Sequence, residues 1–85
     1  MTDRAELAVA IRRIIETSWP ARFSPAQLLD DVPLDDGGLG LDSVEIVEVL
    51  FACEDAWGLR ANEQLFDVVP LTIERLADHF AQVAA

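Results

Sequence analysis

The chain has 85 residues, 52% of them hydrophobic, and its 16 acidic residues against six arginines give a net charge of −10 with no lysine at all. A length of this order supports one modest core and leaves little room for an enclosed active site, while the negative field repels phosphate backbones and anionic lipid, so neither nucleic acid nor a membrane surface is an expected partner. A single cysteine excludes an internal disulfide framework, the opening residues lack the basic-then-apolar pattern of a signal peptide, and the apolar runs are too short to span a bilayer, so the expectation is one soluble, cytoplasmic, monomeric domain over residues 1–85.

In the stretch from Asp3 to Ser18, Leu7, Ile11, Ile14 and Ile15 recur at helical spacing, with Arg12, Arg13 and Glu16 on the other side, which predicts a first amphipathic helix. Asp3 and Glu6 have the spacing of a capping box, and Pro20 should end the helix near Trp19. Residues 20–41 contain Pro20, Pro25, Pro33, Gly37, Gly38 and Gly40 and read as a long loop of the kind that often carries function. Within it Ser24 can cap and Pro25 suits a first helical position, so a short helical turn is expected from Ser24 to Leu29.

A second helix should begin at Asp42, whose carboxylate can accept from the first turn, with Glu45 completing a capping box, and should run to Trp57, where Gly58 supplies the stop. Glu63 to Asp67 is read as a brief third helix. The last helix starts at Thr72 and places Ile73, Leu76, Phe80 and Val83 on one face. The expectation is an all-α bundle of three main helices plus one short helix, with a long loop after the first.

Enzymatic readings lack parts. His79 is the only histidine and Cys53 the only thiol, so a Cys/His zinc site is out of reach, and nothing near His79 suggests a serine triad. A P-loop needs the lysine this chain does not have, and the aspartates do not fall on the ligand positions of an EF-hand. No metal site is expected. His79 reads as a half-exposed helix residue and Cys53 as a small core hydrophobe.

The informative segment is Gly37-Gly38-Leu39-Gly40-Leu41-Asp42-Ser43-Val44-Glu45-Ile46-Val47-Glu48-Val49-Leu50. It places Ser43 on the first turn of a helix beside a glycine loop, where free N–H groups and the helix dipole favour a phosphate. These local features fit a plain helix cap as well as they fit an attachment point. The longer pattern, Leu-Gly-Leu-Asp-Ser followed by an acidic amphipathic helix, resembles the acyl carrier protein family, whose phosphopantetheine attachment motif is Asp-Ser-Leu or a close variant. The resemblance extends along nearly the whole chain, through Trp57-Gly58-Leu59 at the end of the motif helix to Thr72-Ile73 at the start of the last. Two positions depart from the pattern: Gly38 stands where an acidic residue is common, which implies a more flexible loop, and Val44 replaces the usual leucine.

The resemblance implies that Ser43, with Asp42 as its motif neighbour, carries a covalent 4′-phosphopantetheine delivered from coenzyme A by a phosphopantetheinyl transferase with Mg²⁺, and that the arm holds acyl groups as thioesters without the chain itself being an enzyme. Swinging such an arm would require the loop before Ser43 and the region from Arg60 to Asp67 to yield, and their apolar content reads as weak.

Advancing about 100° per residue from Ser43 divides the motif helix into a core stripe, Ile46, Val49, Leu50, Cys53 and Trp57, and a second stripe, Val44, Val47 and Phe51, bordered by Glu48 and Asp55 with Glu45 further round. Between Arg22 and Arg60 lie nine acidic residues and no basic one, so a cationic partner would land there. Glu45, Val47, Glu48, Phe51 and Asp55 match the positions with which the family meets its enzymes, here acyltransferase-, ketosynthase- or acyl-activating-type partners with basic docking patches; charges steer and the apolar groups supply contact. Fatty acid or polyketide and specialised-metabolite assembly are the implied settings, the absence of lysine pointing to the latter. The alternatives are a peptidyl or aminoacyl carrier, whose motif commonly has histidine where Asp42 stands, and an unmodified acidic helical adaptor.

Overall fold

A computed structural model describes residues 3–84. Among them are three α-helices and no strand: α1, Arg4–Ser18; α2, Ser43–Trp57; and α3, Ile73–Ala84. Two 3-10 turns, Pro25–Gln27 and Glu63–Asp67, lie in the connections. The expected helix boundaries hold to within a residue, because each is set by local chemistry. Asp3 and Asp42 cap α1 and α2, Gly58 ends α2 in the left-handed conformation at φ 64°, and the Thr72 hydroxyl accepts from Arg75 N–H at the start of α3.

The caps differ in detail. At α2 the box is complete, with Glu45 N–H donating to Asp42 Oδ1 at 2.8 Å and Asp42 N–H donating to Glu45 Oε1 at 3.0 Å. At α1 the Asp3 carboxylate instead accepts from Ala5 N–H at 3.0 Å, so the Asp3–Glu6 box does not form. The expected turn from Ser24 to Leu29 is a single 3-10 turn, with Gln27 Oε1 accepting from Ser24 N–H.

The three helices meet along Leu7, Ile11 and Ile15 of α1, Val49, Leu50 and Cys53 of α2, and Ile73, Leu76 and Phe80 of α3, all buried. Ile14, Ile46 and Trp57 pack half-buried at the margin, and Trp57 meets Phe80 edge-on at 5.2 Å. α1 packs chiefly against α3, and Arg4 of α1 reaches Asp78 of α3 at 3.1 Å. Arg12, placed on the outer face by periodicity, turns inward: its Nε donates to the Leu28 carbonyl at 2.9 Å and its guanidinium pairs with Asp30. It thereby straps the long loop to α1.

The connections, as well as the helices, contribute to the core. Leu28, Leu34, Leu39, Leu41 and Leu65 are all buried. Burying one such side chain contributes about 1.5–3 kcal/mol relative to leaving it exposed, so the expectation of weak anchoring does not hold for the loop before Ser43, whereas the region Arg60 to Asp67 has Leu65 as a buried anchor. Leu34 N–H also donates to the Leu71 carbonyl at 2.8 Å, within an isolated antiparallel bridge between Pro33 and Thr72. The long loop is thus fastened to the chain entering α3. No helix among the described residues is long and apolar enough to cross a membrane.

Candidate functional site

Ser43 is the first residue of α2, and its position follows from the turns that precede it. Asp35 begins them: its carbonyl accepts from Gly38 N–H at 3.0 Å and from Gly40 N–H at 2.8 Å. Leu39 N–H donates to Pro33 O and Leu41 N–H to Leu34 O, both at 2.9 Å, so Leu39 and Leu41 are drawn into the core on either side of Gly40. Gly40 has φ 74°, which favours glycine there. Gly38 is needed for a different reason. A Cβ at that position would lie 2.2 Å from Pro33 O and 2.6 Å from Val32 Cγ1. The glycines therefore build a packed, hydrogen-bonded approach to Ser43, where sequence reasoning expected a flexible one.

At the helix start, Ser43 is exposed. Asp42 and Glu45 are occupied with each other's N–H groups, and among the described residues nothing accepts from the N–H of Ser43 or Val44. Two donors and the positive end of the α2 dipole remain beside the hydroxyl, which is the arrangement that accepts a phosphate. On its other side Ser43 borders an open, mainly apolar cleft of about 250 Å³, walled by Ile46, Val47 and Leu50 of α2 and by Leu65, Val68, Val69, Pro70 and Leu71 from the far side of the domain, with Asp35 near the mouth. The second wall comes from a segment more than twenty residues downstream, and nothing in the local sequence around Ser43 signals it.

The apolar stripe beside Ser43 stands largely in solvent. Val44 is 66% exposed and Phe51 60% exposed, and Val69, across the cleft, is 79% exposed. Val47 is half-buried because it lines the cleft, and Glu48 and Asp55 are exposed around the stripe. Glu45 is different. It is half-buried and pairs with Arg22 from the loop after α1, a guanidinium that also lies over the rings of Trp19 at 5.6 Å and Phe23 at 5.1 Å. The hydrogen bonds from Arg22 and from Asp42 N–H hold the Glu45 carboxyl below the ordinary carboxylate range. Its charge is already engaged within the chain, whereas those of Glu48 and Asp55 face outward.

Cys53 and His79 lie away from Ser43. Cys53 is buried in the core, and desolvation, with Glu54 adding to it, pushes its thiol up to about 12. His79 on α3 is half-buried, and its Nε2 accepts from Asn62 N–H at 2.8 Å, a contact that spacing did not suggest. Among the described residues no group of three or more His, Cys, Asp or Glu side chains converges on a point where a metal ion could sit. No protein-family model matches the chain, and no curated protein matches it either.

Proposed function

We propose that this chain is a carrier protein of the acyl carrier type, with Ser43 as the attachment point of a 4′-phosphopantetheine arm. The observation that supports this most is the position of Ser43: exposed on the first turn of α2, next to two N–H donors that nothing else takes, and on the lip of an apolar cleft. A plain cap would account for Asp42 and Glu45. It would not account for a hydroxyl set between a phosphate-receptive helix start and an apolar recess.

On this reading Ser43 Oγ attacks the β-phosphorus of coenzyme A in a Mg²⁺-dependent transferase. A new O–P bond forms, the phosphoanhydride breaks, adenosine 3′,5′-bisphosphate leaves, and the serine proton passes to the transferase. The N–H groups of Ser43 and Val44 are the donors placed to meet the phosphodiester. The arm supplies a terminal thiol that holds an acyl group as a thioester. The chain's own contribution is to keep that group at high effective concentration before each enzyme. Val44, Val47 and Phe51, with Glu48 and Asp55, are the proposed docking face for partners with basic patches, including acyltransferase-, ketosynthase- or acyl-activating-type enzymes. Glu45 would join them only by exchanging Arg22.

The proposal includes an acyl-carrier-like arrangement in which the 3-10 turn Glu63–Asp67 stands for the short third helix, and a monomeric, cytoplasmic protein of polyketide, specialised or fatty acid biosynthesis. The test is incubation with coenzyme A and a broad-specificity phosphopantetheinyl transferase, followed by intact-mass measurement. Wild type should gain one arm and Ser43→Ala none. An unmodified wild type beside a modified control protein would sink the carrier reading and leave the acidic adaptor.

A further inference from the structure

The chain between α2 and α3 forms one wall of the Ser43 cleft, and two of its N–H groups are held by side chains of the flanking helices. Ala61 N–H donates to Glu54 Oε2 of α2 at 2.7 Å, and Asn62 N–H donates to His79 Nε2 of α3 at 2.8 Å. Asn62 in turn caps the 3-10 turn through Oδ1, which accepts from Gln64 N–H at 3.0 Å, and that turn carries Leu65, a buried residue of the cleft wall. A short covalent and hydrogen-bonded path therefore runs from the His79 ring to the cleft. We propose that neutral His79 is an acid-released latch on this wall: it holds Asn62 when deprotonated and lets it go when protonated.

The reason is the polarity of the contact. To accept at Nε2 the ring must be neutral with its proton on Nδ1; a second proton turns Nε2 into a donor that faces another N–H. Among the described residues, competing charges are few or already engaged. On α3, Arg75 and Asp78 flank the same hollow, and Asp78 is held by Arg4 from α1 at 3.1 Å. From the facing segment Gln64 and Val68 present no charge, α2 offers Glu54, which is bonded to Ala61 N–H, and the ring of Phe80 meets His79 edge-on at 5.7 Å.

Burial lowers the ring below its ordinary 6.5. A histidine whose folded value is lowered contributes stability that is complete above the unfolded value and is lost as pH falls through the folded one. The latch therefore opens on the acid side of neutrality. It stands on the fold alone and holds whether or not Ser43 carries an arm.

The test is amide exchange of the unmodified full chain by NMR from pH 8 to pH 5, expressed as protection relative to intrinsic exchange. Asn62 should be protected at pH 8 and lose protection below the pKa of the ring, by up to about tenfold per pH unit, in step with the His79 ring resonances. The Phe80 amide within α3 should not follow. His79→Gln should abolish the step, whereas Glu54→Gln, which keeps an oxygen for Ala61 N–H, should retain it. An Asn62 amide already unprotected at pH 8, protection that stays flat while the ring titrates, or a step that survives in His79→Gln would each overturn the latch.

Discussion

Replacing Gly38 with alanine isolates the packing that places Ser43. Gly38 does not have a positive φ, so alanine meets no backbone strain there, and the whole effect is steric. The new methyl would sit 2.2 Å from Pro33 O, 2.6 Å from Val32 Cγ1 and 3.0 Å from Pro33 Cδ. Backbone oxygen cannot rotate aside as a flexible side chain can. The turn has to open, and Pro33 O is the same atom that accepts from Leu39 N–H. Overpacking of this kind costs about 1–3 kcal/mol, which exceeds the gain of about 0.4–1 kcal/mol that glycine-to-alanine changes make through the unfolded chain. Relative to a glycine-to-alanine change without the clash, the melting temperature should fall by about 4–24 °C. Gly37→Ala is the matched control, since its methyl would find its nearest neighbour at an ordinary 3.6 Å. It should be neutral or slightly stabilising. Thermal and urea melts followed by far-UV circular dichroism decide the point. If Gly38→Ala melts within a degree or two of Gly37→Ala, the glycine is not a packing requirement and the flexible-loop reading returns.

Two further outcomes follow from the titratable groups near α2. The Glu45 carboxyl should titrate below its ordinary 4.5 when followed by its side-chain carbon resonance; Arg22→Ala should raise it only part of the way, because the bond from Asp42 N–H remains. By sign, a depressed carboxylate contributes stability that is present at neutral pH and is lost as pH falls through the folded value, so the acid limb of the stability curve should move up in Arg22→Ala; an unmoved limb would mean that the pair does nothing. Cys53, buried and with its thiol pushed up to about 12, should resist an aromatic disulfide reagent at pH 8 in the native chain and react in denaturant. After arm transfer the native protein should then titrate one thiol, and ready labelling of the unmodified native chain would contradict the burial.

What the sequence made legible was whatever is decided within a turn or two of chain. Asp42 and Glu45 sit at the spacing of a capping box, Gly58 follows Trp57, and Leu76 and Phe80 repeat at helical period, so α2 and α3 could be placed from local chemistry alone. The place of Ser43 at the start of α2 was legible for the same reason. The loop leucines were not, because the burial of Leu34, Leu39 and Leu41 depends on which distant surface they meet. Nor were the pairs that cross the molecule: Arg22 finds Glu45 from 23 positions away, and His79 finds Asn62 from 17. Composition counted Glu45 among the free acids of the middle of the chain; only the folded arrangement withdraws it.

The two walls of the Ser43 cleft are consequently held by different physics. On the α2 side Ile46 and Leu50 belong to a helix fixed by its cap and by packing on α1 and α3, and only a change in the core would move them. Opposite, the wall rests on a 3-10 turn whose fixed points among the described residues include the buried Leu65 and side-chain acceptors from Glu54 and His79. A neutral hydrogen bond such as that to His79 adds about 0.5–1.5 kcal/mol and one to a carboxylate such as Glu54 about 1.5–3 kcal/mol, less than the packed core that fixes α2, so this wall is the cheaper of the two to displace. A group that enters the cleft would therefore be accommodated by movement of the segment from Arg60 to Asp67, while the α2 face keeps its shape.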